Sequence, residues 1–180
     1  MLKDKNIVIG VTGGIAAYKA LEVISGLKRE GANIFVIMTK HATEFVTPLT
    51  FQTLSKNTVV TDMFEKVSNF EVEHISLATK ADLFLIVPAT ANIIGKIANG
   101  IADDMLSTTI MATKAPVVFA PAMNVNMYKN VIVQSNIEKL KSYGYQFIDP
   151  VVGMLACGVE DIGKLAKPVD IIDFIKKINK

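Results

Sequence analysis

Cysteine and histidine are scarce in this chain of 180 residues, and their scarcity limits the chemistry that it can carry. Cys157 is the only cysteine, so an internal disulfide is excluded and a reducing compartment, the cytoplasm, is expected. His41 and His74 are the only histidines, and neither is spaced with Cys157 as the ligands of a protein metal site are. We therefore expect no metal site.

The chain also lacks an excess of one charge and a long apolar run. Its 19 Lys and Arg residues and 17 Asp and Glu residues leave a net charge of +2, which is too balanced for a protein whose main partner is a nucleic acid. The most apolar stretch, Leu83 to Val87, ends at Pro88 and is far shorter than the roughly 20 residues of a membrane span. The apolar segment near Met1 is too short for a signal peptide. We expect neither a nucleic-acid nor a membrane partner.

Several nucleotide-binding and hydrolase motifs are missing as well. The segment Gly10 to Ala17 is not a G-x-G-x-x-G fingerprint, and no Lys-Ser or Lys-Thr follows its glycines to complete a P-loop. A Gly-x-Ser-x-Gly elbow is also absent. The second apolar run is followed by Thr39 and Lys40, where a dinucleotide-binding fold usually carries an acidic residue. A hydroxyl and an ammonium suit a terminal phosphate, so a mononucleotide is favoured over NAD.

What the sequence does contain is an alternation of short apolar runs with longer stretches of helical spacing, which predicts a parallel sheet covered by helices. Its length corresponds to one domain, at about 150 residues per domain. We therefore expect a single α/β domain over residues 1–180, with a doubly wound, Rossmann-like or flavodoxin-like sheet. The predicted strands are Asn6 to Val11, Asn33 to Met38, Leu83 to Val87, Val117 to Ala120 and Tyr145 to Ile148.

The stretches between these strands predict the helices. Helical spacing runs from Ala17 to Leu27 before Gly31, over Asn92 to Asn99, Asp104 to Thr113 and Val131 to Tyr143, and along Ile171 to Ile178. Residues 149–168 contain three glycines and weak periodicity, so we predict a long loop that acts as a lid or binding flap. Hydrophobic residues make up 51% of the chain, which is more than one small core can bury and predicts self-association.

Three candidate ligand-binding segments follow predicted strands, at the edge where open α/β sheets bind ligands. Gly10 to Ala17 is either a phosphate-binding turn at a helix start or a tight turn without a ligand. Pro88 to Asn92 either lines a flat ring or only caps a helix through Thr90 or the asparagine itself. Pro121 to Met127 either holds a carboxylate through Asn124 or likewise begins a capped helix.

Two single residues are ambiguous when they are considered alone. A lone histidine such as His74 is more often a surface or core residue than a catalyst. Cys157 is either an incidental small residue or a thiol that a mobile loop carries to a ligand.

Six blocks nevertheless occur together and in order: Thr12-Gly13-Gly14-Ile15-Ala16-Ala17-Tyr18-Lys19, His74, Pro88-Ala89-Thr90-Ala91-Asn92, Gly100-Ile101-Ala102-Asp103, Pro121-Ala122-Met123-Asn124 with Met127, and Leu155-Ala156-Cys157-Gly158. Jointly they resemble the flavin-dependent cysteine decarboxylases, over nearly the whole chain from Asn6 to about Pro168. The resemblance is greatest to the members that act on phosphopantothenoylcysteine in coenzyme A synthesis.

The resemblance implies an FMN enzyme that forms a homotrimer or a dodecamer, with the flavin near a subunit interface. It implies that the residues around FMN are Gly13, Gly14, Ile15, Thr39, Lys40, Thr90, Ala91, Asn92 and Ala122. It also implies that the substrate contacts Asn124, Met154, Leu155 and Ala156. The implied catalytic residues are His74 in the oxidation step, Asn124 on the substrate carboxylate and Cys157 as the late proton donor.

The implied reaction converts phosphopantothenoylcysteine into phosphopantetheine and carbon dioxide. A cysteine carboxylate has no electron sink, so the flavin must first oxidise the carbon that bears the thiol and later return the hydride. Bifunctional relatives add a cysteine-adding synthetase domain, for which 180 residues are too few. Either a separate chain supplies that step or the sequence is part of a longer protein.

Two positions depart from the family pattern. Lys164 stands where relatives more often have Arg, and Tyr128 stands where they often have Trp, so substrate contacts are the feature that these departures affect. Three other functions stay open at this point: a decarboxylase of peptide C-terminal cysteine, a flavin prenyltransferase, and a non-catalytic regulatory protein that binds flavin. Cys157 disfavours the first two, and Cys157 with His74 disfavours the third.

Overall fold

A six-stranded parallel sheet forms the centre of the fold, in a computed structural model that describes residues 2–64, 73–154, 158 and 160–179. Its strands are β1 (Asn6–Val11), β2 (Asn33–Met38), β3 (Val59–Val60), β4 (Leu83–Ala89), β5 (Val117–Pro121) and β6 (Gln146–Phe147). They are ordered β3-β2-β1-β4-β5-β6, and every pair is parallel. A separate antiparallel hairpin consists of β7 (Val151–Met154) and β8 (Glu160–Lys164).

Helices cover both faces of the sheet. They are α1 (Ala20–Arg29), α2 (Pro48–Ser55), α3 (Glu73–Lys80), α4 (Ala91–Ala98), α5 (Met105–Ala112), α6 (Val125–Tyr128), α7 (Val131–Ser142) and α8 (Pro168–Ile178). Short 3₁₀ helices span Ile15–Lys19 and Lys40–Glu44. The buried side chains of α1, α2 and α8 belong to one core, and those of α3, α4, α5 and α7 belong to the other. No helix in the described part of the chain is long and apolar enough to cross a membrane.

The strands are apolar on both sides because each side faces a layer of helices. In β1, Ile7 and Ile9 belong to one core and Val8, which lies between them, belongs to the other. All seven residues of β4 are buried. The doubly wound α/β fold that the alternation of runs predicts is confirmed.

The chain reverses its direction of winding at β1. β1 pairs with β2 on one side and with β4 on the other. The connection after β1 and the connection after β4 therefore lead in opposite directions along the sheet. Such a reversal opens a crevice at the carboxyl ends of the two central strands. The ends concerned are those of β1 and β4.

All five predicted strands are present, and those of residues 6–11 and 33–38 have the predicted bounds. The helix terminator Gly31 is also confirmed, since it has a φ of +93°. The first helix differs from the prediction because it starts with the 3₁₀ turn Ile15–Lys19 before α1. β3, α2 and α3 were not predicted; β3 has only two residues, too few for a periodic pattern.

The prediction of a long loop over residues 149–168 is wrong for its central part, which contains the β7–β8 hairpin. This ribbon stands outside the main sheet and is covered on one side only. Half-buried and exposed residues therefore alternate along β7, and no continuous apolar run marks the strand. Gly153 and Gly163, which suggested a loop, lie within the two strands.

Candidate functional site

A cavity of about 590 Å³ opens at the carboxyl edge of the sheet, at the reversal between β1 and β4. Its walls come from the turn after β1, the start of α4, the turn after β5 and the β7–β8 hairpin. Eight residues singled out in the sequence line it: Gly13, Gly14, Ile15, Thr90, Ala91, Ala122, Asn124 and Met154. The three separate segments that follow β1, β4 and β5 therefore meet in one place.

The buried side chain of Thr12 joins the ends of the two central strands. Its hydroxyl donates a hydrogen bond of 2.6 Å to the carbonyl oxygen of Pro88 and accepts one of 3.2 Å from the backbone N–H of Thr90. Pro88 follows a cis peptide bond. On the far side of β4, the N–H of Ala122 donates to the carbonyl oxygen of Ala89 at 3.1 Å. These bonds hold together the three turns that form the cavity.

The two adjacent glycines of the first turn serve different purposes. A Cβ on Gly13 would lie 2.4 Å from the Cβ of His41 and 2.9 Å from its carbonyl carbon, so this position has no room for a side chain. A Cβ on Gly14 would find only Thr90 Cγ2, at 3.7 Å, among the described residues. Contact with His41 therefore explains why residue 13 is a glycine, whereas the absent side chain of Gly14 leaves space that is part of the cavity.

Thr90 and Asn124 both cap helices, as one of the alternatives for each segment predicted, and both lie at the cavity. Thr90 is the N-cap of α4, and its hydroxyl accepts from the N–H of Ile93 at 3.5 Å. Asn124 is the N-cap of α6, and its Oδ1 accepts from the N–H of Asn126 at 2.9 Å. Both side chains also line the cavity, so capping fixes them at its wall.

The β7–β8 hairpin forms the outer wall and is attached to the turn after β5. The N–H of Met123 donates to the carbonyl oxygen of Gly163 at 3.0 Å. Gly163 has φ +135°, and a Cβ there would lie 2.3 Å from the Met123 carbonyl oxygen, so only glycine permits this approach. The ammonium of Lys129 contacts the carboxylate of Asp161 at 2.9 Å, and its hydrogen bond is the main reason that the pKa of Asp161 lies below its ordinary value.

The charge of the cavity wall is positive. Lys19 from the first turn and Lys164 from β8 line the cavity, and no carboxylate does so among the described residues. The wall also contains the helix starts at Ile15 and Ala91, where backbone N–H groups without a partner in the helix favour an anion. The cavity is therefore suited to an anionic ligand.

Thr39 and Lys40 line a second, smaller cavity of about 210 Å³ near the ends of β2 and β3. The Thr39 hydroxyl accepts from the N–H of Ala42 at 3.3 Å. Asp104 lines the same cavity: burial raises the pKa of its carboxyl, but the hydrogen bonds from Lys96 and Ser107 outweigh burial and lower it overall. The contact of Gly13 with His41 brings this region against the first turn.

Two further predicted site residues, Asn92 and His74, do not line the main cavity as the structure describes it. Asn92 is exposed in the first turn of α4. His74 is half-buried in the first turn of α3, which packs on α5. Because α3 precedes the parallel strand β4, its first turn with His74 lies at the same edge of the sheet as the cavity.

Three predicted residues, Leu155, Ala156 and Cys157, lie outside the described residues, so their roles stay predictions. Among the residues that are described, no group of three or more His, Cys, Asp or Glu side chains could hold a metal ion.

The family model described as Flavoprotein matches residues 1–180. The chain belongs to the Flavoprotein family. It is 43% identical over 178 residues to the Streptococcus mutans protein named "Probable phosphopantothenoylcysteine decarboxylase", with 98% of each chain covered. It is 51% identical over 177 residues to the "Coenzyme A biosynthesis bifunctional protein CoaBC" of Bacillus subtilis, covering 98% of this chain and 44% of the relative. The chain thus spans less than half the length of its bifunctional relatives.

Solved structures of this family have the same fold. A variant of PPC decarboxylase complexed with pantothenoylaminoethenethiol is 28% identical, with a TM-score of 0.88 and 98% of each chain covered. The FMN-dependent cysteine decarboxylase SpaF is 28% identical, with a TM-score of 0.84 and 100% of each chain covered. The resemblance to flavin-dependent cysteine decarboxylases is confirmed.

Some residues at this cavity were not predicted from the sequence. Thr12 and Lys19 belong to the glycine-containing block, but only the glycines and Ile15 were assigned a role. A small polar residue at the end of an apolar strand is the signal that could have indicated Thr12, since a buried hydroxyl needs partners. Gly163 carries no local signal of its contact, because Met123 is 40 residues away in the sequence.

We expect Thr12→Val to lower the free energy of unfolding by about 1–3 kcal/mol. Valine has a similar shape, but the Pro88 carbonyl and the Thr90 N–H would both lose their hydrogen-bond partner. Urea denaturation at equilibrium measures the change.

Thr109→Val is the matched control. Thr109 is equally buried, and its hydroxyl donates to the Met105 carbonyl at 2.6 Å. That carbonyl lies inside α5 and keeps its place in the helical hydrogen-bond pattern, so the expected loss is below about 1 kcal/mol. Equal losses in the two variants would contradict the role assigned to Thr12.

Proposed function

We propose that residues 1–180 form one FMN-binding domain that decarboxylates phosphopantothenoylcysteine to phosphopantetheine. The observation that carries the proposal is the meeting of Gly14, Thr90 and Asn124, from three separate segments, in one cavity at the reversal of the sheet. Membership of the Flavoprotein family and the relatives named for this decarboxylation support it.

The residues of the cavity fit a flat ring with an anionic tail. Ile15, Ala91 and Ala122 offer small or apolar surface for a ring, and the position of Gly14 leaves room beside Thr90. The turn at Gly13 and the helix start that follows offer N–H groups for a phosphate. Thr39 and Lys40 complete the phosphate site in this proposal, which the contact between Gly13 and His41 supports.

A bound flavin supplies a reversible acceptor for two electrons, which a cysteine-type carboxylate needs because it has no electron sink of its own. The C–C bond to the carboxylate breaks, and a C–H bond replaces it with a proton, so the net redox change is zero. The chain must therefore bind the carboxylate, remove a proton early and return a proton late.

The side chains divide these tasks in the proposal. Asn124 is fixed at the cavity wall because it caps α6, and it binds the substrate carboxylate. Its amide is neutral, so it adds no positive charge that would stabilise the carboxylate against leaving as carbon dioxide. His74 takes a proton from the substrate during its oxidation. Cys157 donates a proton from Sγ at the end, and Met154, Leu155 and Ala156 cover the substrate. Asn92 contacts the flavin from the start of α4.

We also propose that the protein is a homo-oligomer, a trimer or a dodecamer, and that the site is shared between subunits. His74 does not line the cavity of its own chain as described, although it lies at the same edge of the sheet. Large apolar side chains around the cavity are exposed, including Ile15 at 61% and Tyr18 at 51%. A neighbouring subunit would cover these side chains and bring its own His74 to the cavity. In this proposal the cysteine-adding step belongs to a synthetase, on a separate chain or in a further part of the same protein, as the bifunctional relatives suggest.

We expect Gly14→Ala to weaken FMN binding about 10- to 100-fold, because a methyl group would enter the space left for the ring. Fluorescence titration of the flavin-free protein measures the affinity, and urea denaturation without flavin should show an unchanged fold.

Gly95→Ala is the matched control for this variant. Gly95 lies inside α4, and its nearest described neighbour would be Asn136 Nδ2 at 3.8 Å. Alanine there should leave FMN affinity unchanged and slightly increase helix stability. Wild-type FMN affinity in Gly14→Ala would remove this turn from the flavin site.

We expect the yellow, FMN-loaded protein to convert phosphopantothenoylcysteine into phosphopantetheine with release of carbon dioxide. Mass spectrometry of the reaction mixture measures the conversion. His74→Asn should lower kcat about 100-fold or more because it removes a proton acceptor. Cys157→Ser should accumulate an unsaturated enethiol in place of the product. Turnover of a peptide ending in cysteine, with no turnover of phosphopantothenoylcysteine, would replace the proposal with the peptide-modifying function.

We expect co-expression of His74→Asn with Asn124→Ala to restore part of the activity that each variant lacks alone. In a shared site, some mixed interfaces combine an intact His74 from one subunit with an intact Asn124 from another. If each site used residues of one chain only, no mixed oligomer would contain an intact site and activity would stay absent.

A further inference from the structure

We propose that Lys19 and Lys164 bind the phosphate of the substrate at the mouth of the cavity and thereby select phosphorylated over unphosphorylated thiols. The inference rests on the proposed function and deepens it, because it assigns the recognition of a phosphate monoester to two residues that the reaction itself does not use.

Lys19 and Lys164 line the cavity, and no described residue beside them there carries a carboxylate. Within the ranges 2–64, 73–154 and 160–179, neither Lys19 nor Lys164 forms an ion pair. The lysines that do pair with a described carboxylate are Lys5, Lys96, Lys129, Lys141 and Lys176. The cavity therefore holds two cations whose charge no described protein group neutralises.

The positions of the two side chains place these charges on different walls. Lys19 is the last residue of the 3₁₀ helix after the glycine turn, and its ammonium lies 5.9 Å from the centre of the Tyr18 ring. Lys164 is the last residue of β8, on the hairpin. Both lysines are half-buried, and both line the cavity.

Gly153 provides the space that lets Lys164 lie along the hairpin. A Cβ at Gly153 would lie 3.0 Å from Cδ of Lys164 and 3.4 Å from its Nζ. A larger residue on β7 would push the lysine stem away from this position. The hairpin therefore orients Lys164 through backbone that is itself anchored at Gly163 to the turn before Asn124.

The chemistry of the two lysines suits a phosphate better than a carboxylate. Two ammonium groups match the charge of about −1.5 to −2 that a phosphate monoester carries at neutral pH. Lysine acts as a flexible point charge, which fits the oxygens of a phosphate without the fixed geometry of a guanidinium. The substrate carboxylate, by contrast, must leave as neutral carbon dioxide, and strong cation pairing would stabilise it in the ground state.

The flavin also carries a phosphate, so the two sources must be separated. Lys164 belongs to the hairpin, which packs against the turn that carries Asn124, the proposed substrate ligand. The proposed flavin phosphate site lies on the opposite side, at Gly13 and the turn of Thr39 and Lys40. For Lys164 this arrangement favours the substrate as the source of the phosphate. Lys19 follows the glycine turn itself, so the FMN affinity of its variant decides which phosphate it binds.

The test compares binding of phosphopantetheine and pantetheine, two products that both lack the carboxylate, to the FMN-loaded protein by titration calorimetry. Wild-type protein should bind the phosphorylated thiol more tightly, and this preference should fall with rising salt. Lys19→Met and Lys164→Met should each reduce the preference about 10- to 100-fold through weaker binding of phosphopantetheine alone. Lys164→Arg should retain most of the preference.

Lys167→Met is the control, because Lys167 is exposed and does not line the cavity. FMN affinity, measured separately, should be unchanged in all variants. The inference is overturned if wild-type protein shows no preference, if the methionine variants weaken both thiols equally, or if they weaken FMN instead, which would assign the lysines to the flavin phosphate. If the methionine variants lose the preference but the wild-type enzyme does not turn over the substrate, the proposed reaction alone is contradicted. If the wild-type enzyme is active but the methionine variants keep the preference, this inference alone is contradicted.

Discussion

The structure of the site depends on one buried hydroxyl at the reversal of the sheet. β1 and β4 are neighbours, but the chain that leaves one winds away from the chain that leaves the other, and this geometry opens the cavity. An open crevice between two strand ends leaves backbone groups that need partners. Thr12 meets this need on both sides, by donating to Pro88 and accepting from Thr90. The same contacts join the ends of β1 and β4 at the edge of the sheet where the cavity opens.

The remaining walls are attached to that centre by equally local contacts. Thr90 and Asn124 are held because each caps a helix, and the hairpin is held because Gly163 lets its backbone touch Met123. Structural and functional roles therefore coincide in the same side chains. A residue that caps a helix loses rotational freedom, and a group with little freedom left binds a ligand at a lower entropic cost.

Charge distinguishes this cavity from the rest of the surface. Elsewhere acidic and basic side chains are mixed, and five lysines lie against a carboxylate. At the cavity the described wall has lysines only, together with the positive ends of helices. A small protein with a net charge of only +2 can thus concentrate positive potential where an anionic cofactor or substrate would bind. It does so without the overall charge of a nucleic-acid-binding protein.

The sequence by itself determined the α/β class, five strands and the three turns of the site. Strands buried on both faces appear as continuous apolar runs, and glycines follow their ends, so both features can be recognised within a short segment. It also indicated the family through motifs such as that of Gly13 and Gly14. Only the tertiary structure decided that Thr39 and Lys40 line a separate cavity, that His74 does not line the main one, and that β7 pairs with β8. These features depend on contacts between distant residues, such as Gly163 with Met123, and no periodicity within a segment encodes a contact that two segments make only after they have folded.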